Sequence, residues 1–224
     1  MNKTQNMNIE EYKDTYSDND SSPGWDAIDS ELLKIYPSQE PKHFAAALHY
    51  SVGGNDPLDG ISLYKANDDR GEYFHIVTYG FSQLYYDEES FGEDYSKFGF
   101  ELTFRVRPFA EDKEYPYWAI NLLQNLARYV FKTGNWFDQD HYLPVNGPLR
   151  LDCETDLVAL FFTADSELKT MNTVHGEVQF LQIVGITEKE FQSIKREEVE
   201  IEDLIKELQK ETPMLVTDLC RKDN

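Results

Sequence analysis

Residues 98–133, FGFELTFRVRPFAEDKEYPYWAINLLQNLARYVFKT, decide the fold because a strand pattern is followed closely by a helix pattern. Over 98–107 apolar and polar side chains alternate, which is the period of a β-strand with one buried face and one hydrated face. The apolar set is Phe100, Leu102, Phe104 and Val106, and the polar set is Glu101, Thr103, Arg105 and Arg107. We therefore expect a strand in a sheet that is covered on one side.

The second half of the stretch has the period of an amphipathic helix. Pro116 suits a helix start, and Gly134 suits a helix end. The apolar stripe consists of Trp118, Leu122, Leu126 and Val130, widened by Ala119, Leu123 and Ala127. The spacing predicts a helix from Pro116 to Gly134 with one buried side.

Similar signals extend outward in both directions. A helix is expected from Pro23 to Pro37 with Ser22 as its cap. Another follows Thr187, which with Glu190 fits a capping box, and a last one covers 201–208. Strands are predicted at 43–52, 61–65, 73–79, 157–162 and 174–184, with a further edge strand at 214–217. Residues 135–156 are predicted to be a long connection. Runs of strands between helices are typical of an α+β fold.

The length of 224 residues suits one domain. We predict a flexible polar tail over residues 1–21, with at most one helical turn at Ile9–Tyr12. The domain is expected to cover residues 22–220, followed by a short tail at 221–224.

The charge is strongly acidic, with 42 Asp and Glu against 21 Lys and Arg and a net charge of −21. Such a field repels nucleic acid and anionic membranes, so we expect neither as a ligand. The negative charge either attracts a basic partner or only keeps the protein in solution. The sequence contains no run long and apolar enough to cross a bilayer and no secretory signal pattern. Cys153 and Cys220 form no paired motif, so a cytoplasmic location is expected.

Sequence motifs for catalysis are missing. There is no GxSxG elbow, P-loop or HExxH motif, and the histidines form no ligand pair, so a structural role is predicted for each of His43, His49, His75, His141 and His175. Asp138, Asp140 and His141 are the one tight cluster, which is either a divalent metal site or a solvated loop tip beside Trp136 and Phe137. We expect no catalytic residues, no metal and no cofactor, and hence a binding role; a metal-dependent enzyme that uses Asp138, Asp140 and His141 is the less favoured alternative.

Several sequence blocks together resemble the suppressor of fused family. They are PGWDAIDSELLKIYP at 23–37, GGNDPLDGISLY at 53–64, FHIVTYGFSQLY at 74–85, FGFELTFRV at 98–106, LLQNLARYVFKTGNWFDQDH at 122–141, HGEVQFLQIVGIT at 175–187 and LVTDL at 215–219. The resemblance spans roughly residues 22–220. It implies a central mixed, mostly antiparallel sheet packed by helices and no catalytic activity.

The resemblance also implies a mode of action. The eukaryotic protein restrains transcription factors of Hedgehog signalling by gripping an extended peptide, and a second domain follows the one matched here. The present sequence ends soon after LVTDL, so that regulation is not expected to transfer. Bacterial relatives usually have a single domain, and many of them are thought to be immunity proteins that neutralise toxins.

Tyr129, Asp140 and His141 match the part of the family that contributes to the peptide cleft, with a one-residue gap at Asp140. They are the predicted partner-binding residues, although Tyr129 also suits packing at a helix end and Asp140 suits a loop cap. The expected partner is a protein or extended peptide, with a basic toxin as the first candidate and a host protein bound by a peptide-binding adaptor as the alternative.

Overall fold

The computed structural model describes residues 7–18, 21–46, 48, 50–110, 112 and 114–223. In these ranges the fold centres on an eight-stranded sheet. The strands are β1 (Lys42–Ala45), β2 (Gly60–Asp68), β3 (Gly71–Tyr79), β4 (Tyr95–Val106), β5 (Tyr142–Pro144), β6 (Leu157–Ala164), β7 (Met171–Thr173) and β8 (Gly176–Thr187). Their order is β1-β2-β3-β4-β8-β6-β5, and β7 pairs with β8 off this path. Among the strands of the described ranges, only β4 and β8 pair in parallel, so the predicted mixed, mostly antiparallel sheet is confirmed.

Helices cover both faces of this sheet. They are α1 (Ile9–Tyr16), α2 (Pro23–Ile35), α3 (Tyr117–Thr133), α4 (Glu188–Lys195) and α5 (Ile201–Glu211). The apolar stripe of α3 packs against Phe100, Leu102 and Phe104 on one face. On the opposite face α2 covers one part of the sheet, while α4 and α5 cover the part formed by β6 and β8. Among the described residues, no helix is long and apolar enough to span a membrane.

The expectation that one face of β4 is hydrated is wrong. Glu101, Thr103 and Arg105 are fully buried, because α2 and the segment after β6 cover the side that α3 leaves open. Each polar group has partners there: the Glu101 carboxylate accepts four hydrogen bonds from Thr78, Gly80 and Ser82. Buried hydrogen bonds thus replace the water that the alternating pattern predicts.

The N-terminal segment also departs from the predicted tail. Residues 9–16 form α1, which opens with a capping box between Asn8 and Glu11. Tyr12 is fully buried, and its hydroxyl lies 2.7 Å from Nε2 of His175. This single large side chain gives a short, polar helix enough burial to dock on the domain.

Two predicted strands differ from the structure. Of the strand expected at 43–52, only the first part forms a strand, namely β1. A 3₁₀ turn occupies Tyr50–Val52. His49 lies outside the described residues. The segment 214–217 contributes one parallel bridge between Val106 and Thr217 instead of a strand. The capping box of Thr187 and Glu190 is present.

Candidate functional site

A groove with a volume of about 1080 Å³ runs between α3 and β5. The side chains that line it come from α3, from the loop after it and from β5. They are Leu122, Asn125, Leu126, Tyr129, Asn135, Trp136, Phe137, Asp138, Asp140, His141, Tyr142, Leu143 and Val145. All three predicted partner-binding residues, Tyr129, Asp140 and His141, therefore lie in one groove.

Two residues position the loop after α3: Gly134 at the end of the helix and Phe137, whose ring is buried. Gly134 caps α3 in the left-handed conformation (φ 73°), which turns the chain away from the helix axis. Phe137 is buried and stacks on Phe162 of β6, with ring centres 4.3 Å apart. The stack fixes the loop against the sheet, so the groove has a rigid wall.

Tyr129 forms a flat platform on the α3 side. Its side chain is 47% exposed, and its ring stacks on Phe137 at 5.9 Å with an angle of 24° between the planes. The hydroxyl accepts a hydrogen bond from the Asn135 side chain at 3.2 Å. Together these contacts hold the ring with one face available. Trp136, which is 61% exposed, adds a second aromatic surface.

Asp138, Asp140 and His141 form the acidic end of the groove. The backbone N–H of Asp138 donates to Nδ1 of His141 at 3.2 Å, so the hydrogen of the neutral ring lies on Nε2. Asp140 has left-handed backbone geometry (φ 64°), and its N–H donates to the carbonyl of Phe162. The exposed carboxylates of Asp138 and Asp140 thus meet solvent beside the aromatic platform.

Beside this end lies an open strand edge, because β5 is the last strand of the sheet. The carbonyl of His141 accepts from Phe162, and the N–H of Val145 donates to Val158, so both residues point their backbone groups at β6. In an antiparallel pair the intervening residues point the other way. Tyr142 therefore presents its N–H and C=O outward, whereas Pro144 presents only a carbonyl.

The sequence predicted a connection at 135–156 and missed β5. A strand of three residues with a proline carries little signal, since proline is confined to edges and bulges in sheets. The strand-favouring residues Tyr142, Leu143 and Val145 are the signal that was available. Trp136 was noted only as a neighbour of the acidic cluster.

Metal binding has no support from the geometry. Among the residues that the structure describes, no three His, Cys, Asp or Glu side chains converge on a common point. In the acidic cluster the Nδ1 atom of His141 already accepts the Asp138 backbone hydrogen bond, which leaves Nε2 as its only ring nitrogen for another contact.

A second set of titratable groups lies under α2 and is sealed. Arg105 donates to Asp165 (2.5 Å) and to Gln182 (2.8 Å), and His75 lies beside them with Nδ1 2.9 Å from the Tyr36 hydroxyl. Burial lowers the pKa of His75. The hydrogen bonds and positive charge of Arg105 hold the pKa of Asp165 well below its usual range, although the carboxylate is buried. Their hydrogen bonds link β3, β4, β8 and the segment after β6. Because these groups are closed to solvent, they form no site for a ligand.

Comparison with protein families and curated proteins gives a consistent match. The family model described as Suppressor of fused protein matches residues 54–222. The human and mouse proteins called Suppressor of fused homolog are each 36% identical to this chain over 182 residues, which cover 77% of this chain. The matched part makes up 37% of the length of each relative.

Solved structures resemble the fold over nearly all of this chain. A chain of the Sufu–Fu complex is 32% identical, with a TM-score of 0.79 and coverage of 91% of this chain and 92% of that chain. Drosophila Suppressor of Fused is 31% identical with the same TM-score, and 51% of that chain is covered. A putative homologue from Neisseria gonorrhoeae, 17% identical with a TM-score of 0.60, shares the fold.

Proposed function

Since the chain belongs to the suppressor of fused family, we propose that it is a non-catalytic binding domain that holds an extended, basic segment of a partner protein. The segment lies in the groove between α3 and β5. The observation that carries this proposal is the placement of Tyr129 and Asp140 beside the open backbone edge of Tyr142.

Each part of the groove has a separate task. The N–H and C=O of Tyr142 take up the backbone of the bound segment, and each such hydrogen bond contributes about 1 kcal/mol. Alternate side chains of an added strand point to opposite sides, so every second one meets the groove. The platform of Tyr129 and Trp136 with the nearby carboxylates of Asp138 and Asp140 suits a Lys or Arg side chain, through ring contact and ion pairing.

The partner in this proposal is a basic toxin, and the chain acts as its immunity protein in the cytoplasm. The net charge of −21 supports a cationic partner, because opposite charge raises the association rate. Binding of an extended toxin segment in the groove also covers the toxin surface next to that segment. Such masking would neutralise the toxin.

A second candidate is a peptide-binding adaptor that regulates a host protein. It is favoured by the similar structure that is described as a complex of Sufu with Fu. The same groove serves both candidates, and only the partner differs.

The experiment is co-expression with the basic products of neighbouring reading frames, scored by growth and by co-purification. The wild type is compared with Asp140→Asn and with Asp152→Asn. Asp152 is a matched control, because it is also exposed, lies outside the groove and has the same left-handed backbone (φ 64°), which Asn tolerates.

We expect the wild type and Asp152→Asn to restore growth and to bind the toxin, and Asp140→Asn to lose both. Capture of a non-toxic protein with the same Asp140 dependence supports the adaptor instead. If Asp140→Asn binds as well as Asp152→Asn does, the groove is not the binding site.

A further inference from the structure

A second hollow lies on the far side of the loop 134–138 that bounds the groove. Its volume is about 550 Å³, which falls in the range of about 300–1,000 Å³ that is usual for ligand pockets. Trp136, Phe137 and Asp138 line both spaces, so one loop separates the groove from this hollow. A bound segment that passes the loop therefore reaches both.

An irregularity in β4 opens the hollow. The pairing of β4 with β8 shifts register between Tyr95 and Phe100, where residues 96–99 of β4 lie opposite Val178 alone. Within this bulge Gly99 is left-handed (φ 79°), a conformation that glycine adopts readily. Bulges bend a strand and occur often next to functional sites. The sheet thus gives up regular pairing at the place where the hollow forms.

Five aromatic side chains line the hollow. They are Tyr95, Phe98, Phe100, Trp136 and Phe137. The rings of Tyr95 and Trp136 are largely exposed, with 60% of Tyr95 open to solvent. Tyr and Trp are enriched at protein interfaces, where their large flat rings act as anchors. The lining therefore suits the side chain of a bound protein segment.

The charged groups of the hollow argue against an ionic ligand. The Lys97 ammonium donates to the Gly80 carbonyl at 2.7 Å and lies 4.7 Å from the centre of the Phe131 ring, and neither Gly80 nor Phe131 lines the hollow. Lys97 therefore contributes its apolar stem rather than its charge. The carboxylate in the lining belongs to Asp138, which also lines the groove and is available there to the cation of the segment. A neutral side chain suits the hollow best.

Gln179 favours an aromatic side chain over an aliphatic one. Its half-buried side chain lines the hollow and makes no hydrogen bond with a residue that the structure describes. A ligand side chain that fills the hollow displaces water from this amide, and an aliphatic one would leave the amide without a partner, which is costly. The hydroxyl of a Tyr or the ring N–H of a Trp offers it a hydrogen bond.

We propose that this hollow is a second subsite for the same bound segment and that it takes an aromatic side chain, Tyr or Trp. The inference rests on the proposed function, because it assigns the chemistry of a ligand that the groove already holds. The recognised segment is then bipartite, with a basic residue at Asp140 and an aromatic residue in the hollow. Their spacing is constant, because the loop 134–138 lies between the two positions.

Such a pair of subsites would explain selectivity in a very acidic protein. A purely cationic segment is attracted to many places on a surface with 42 acidic residues. An aromatic side chain gains binding energy only where a recess accepts its shape, and anchors of this kind carry much of the energy of an interface. The aromatic residue therefore fixes the register of the segment, while the basic residue attracts it.

The test is a display selection on the full chain with random capped peptides of about 16 residues, which in extended form are long enough to span both spaces. We expect the enriched peptides to carry a basic position and a Tyr or Trp position at constant spacing. Against Tyr95→Ala the aromatic position should become random while the basic one stays, because Tyr95 lines the hollow and not the groove.

Tyr117→Ala is the matched control, because Tyr117 is also exposed but lines neither space. Selection against this variant should give the same two positions as the wild type. An individual selected peptide should bind Tyr95→Ala roughly tenfold more weakly than Tyr117→Ala, as expected for the loss of one aromatic contact.

The outcomes separate the two proposals. Basic enrichment overturns the aromatic subsite and leaves the groove intact if it comes without an aromatic position, with an aliphatic or a second charged position instead, or with an aromatic position that persists against Tyr95→Ala. Enrichment that is unaffected by Asp140→Asn, or no enrichment at all, overturns the groove and the subsite with it. The selection on the wild type needs no variant, so a folding defect in Tyr95→Ala does not obscure it.

Discussion

Phe137 lies flat on Phe162, with ring centres 4.3 Å apart and planes 13° from parallel. One ring belongs to the loop after α3, and the other belongs to β6, the strand next to the open edge. The stack therefore joins the helix side of the groove to its strand side.

Phe137→Ala should lower the free energy of unfolding by about 3 kcal/mol, because it removes a buried ring and leaves a cavity. Urea unfolding measures this change. Trp136→Ala is the neighbouring control: its ring is exposed, so its effect should stay within about 0.5 kcal/mol. Equal effects of the two variants would mean that Phe137 does not anchor the loop.

Asp165→Ala should be among the most destabilising single changes on the polar face of β4. The carboxylate accepts from Arg105, from Thr103 at 2.6 Å and from backbone N–H groups, and its loss leaves the buried guanidinium with only Gln182 and the partly exposed Glu167 as partners. Breaking such a pair costs about 3 to 5 kcal/mol. Arg105→Met combined with Asp165→Ala should recover part of that loss in urea unfolding. A double variant as unstable as the sum of both single changes would show that charge is not the cause.

His175 should make stability fall in mild acid. Burial lowers its pKa, and the Tyr12 hydroxyl donates to Nε2 because Nδ1 donates to the Gln83 carbonyl. Below about pH 6.5 the unfolded chain takes up a proton that the folded one resists, so stability is lost as pH falls, at up to about 1.4 kcal/mol per unit.

Unfolding measured from pH 7 to pH 5 should therefore show a smaller loss for His175→Gln than for the wild type. Burial raises the pKa of Glu101, so the Glu101 contribution makes the protein more stable as pH falls. This contribution is the same in both proteins and cancels when their pH profiles are compared. Parallel pH profiles of the two proteins would contradict the role of His175.

Gly24→Ala should destabilise α2, although alanine is the better helix former by about 1 kcal/mol. An added Cβ would lie 2.0 Å from the backbone carbonyl oxygen of Gln83, and backbone does not move aside cheaply. We expect a net loss of about 2 kcal/mol in urea unfolding, since overpacking outweighs propensity. A more stable Gly24→Ala protein would show that α2 docks less closely than the structure has it.

Local sequence patterns predicted much of the fold, because apolar stripes and helix caps depend on residues that are close together in the sequence. The α3 stripe and Gly134 gave that helix correctly, and Thr187 with Glu190 gave the start of α4. The hydrated face of β4 was mispredicted, because the sequence around Arg105 cannot tell that Asp165, sixty residues later, supplies its partner. Long-range pairing of this kind leaves no periodic signal.

The site was predicted in part. Tyr129, Asp140 and His141 were named through the family resemblance, and the structure places them in one groove. The strand edge at Tyr142 was missed, since a three-residue strand is set by its neighbours in space rather than by sequence period.

The most direct measurement is amide hydrogen exchange with and without an extended basic peptide that binds the chain. An added strand on β5 should protect the N–H of Tyr142, while the opposite edge of the sheet, β1, exchanges at an unchanged rate. Protection at Tyr142 that is lost in Asp140→Asn and kept in Asp152→Asn is the predicted result. Protection at Lys42–Ala45 instead, or unchanged exchange at Tyr142 with the peptide bound, would contradict strand addition in the groove.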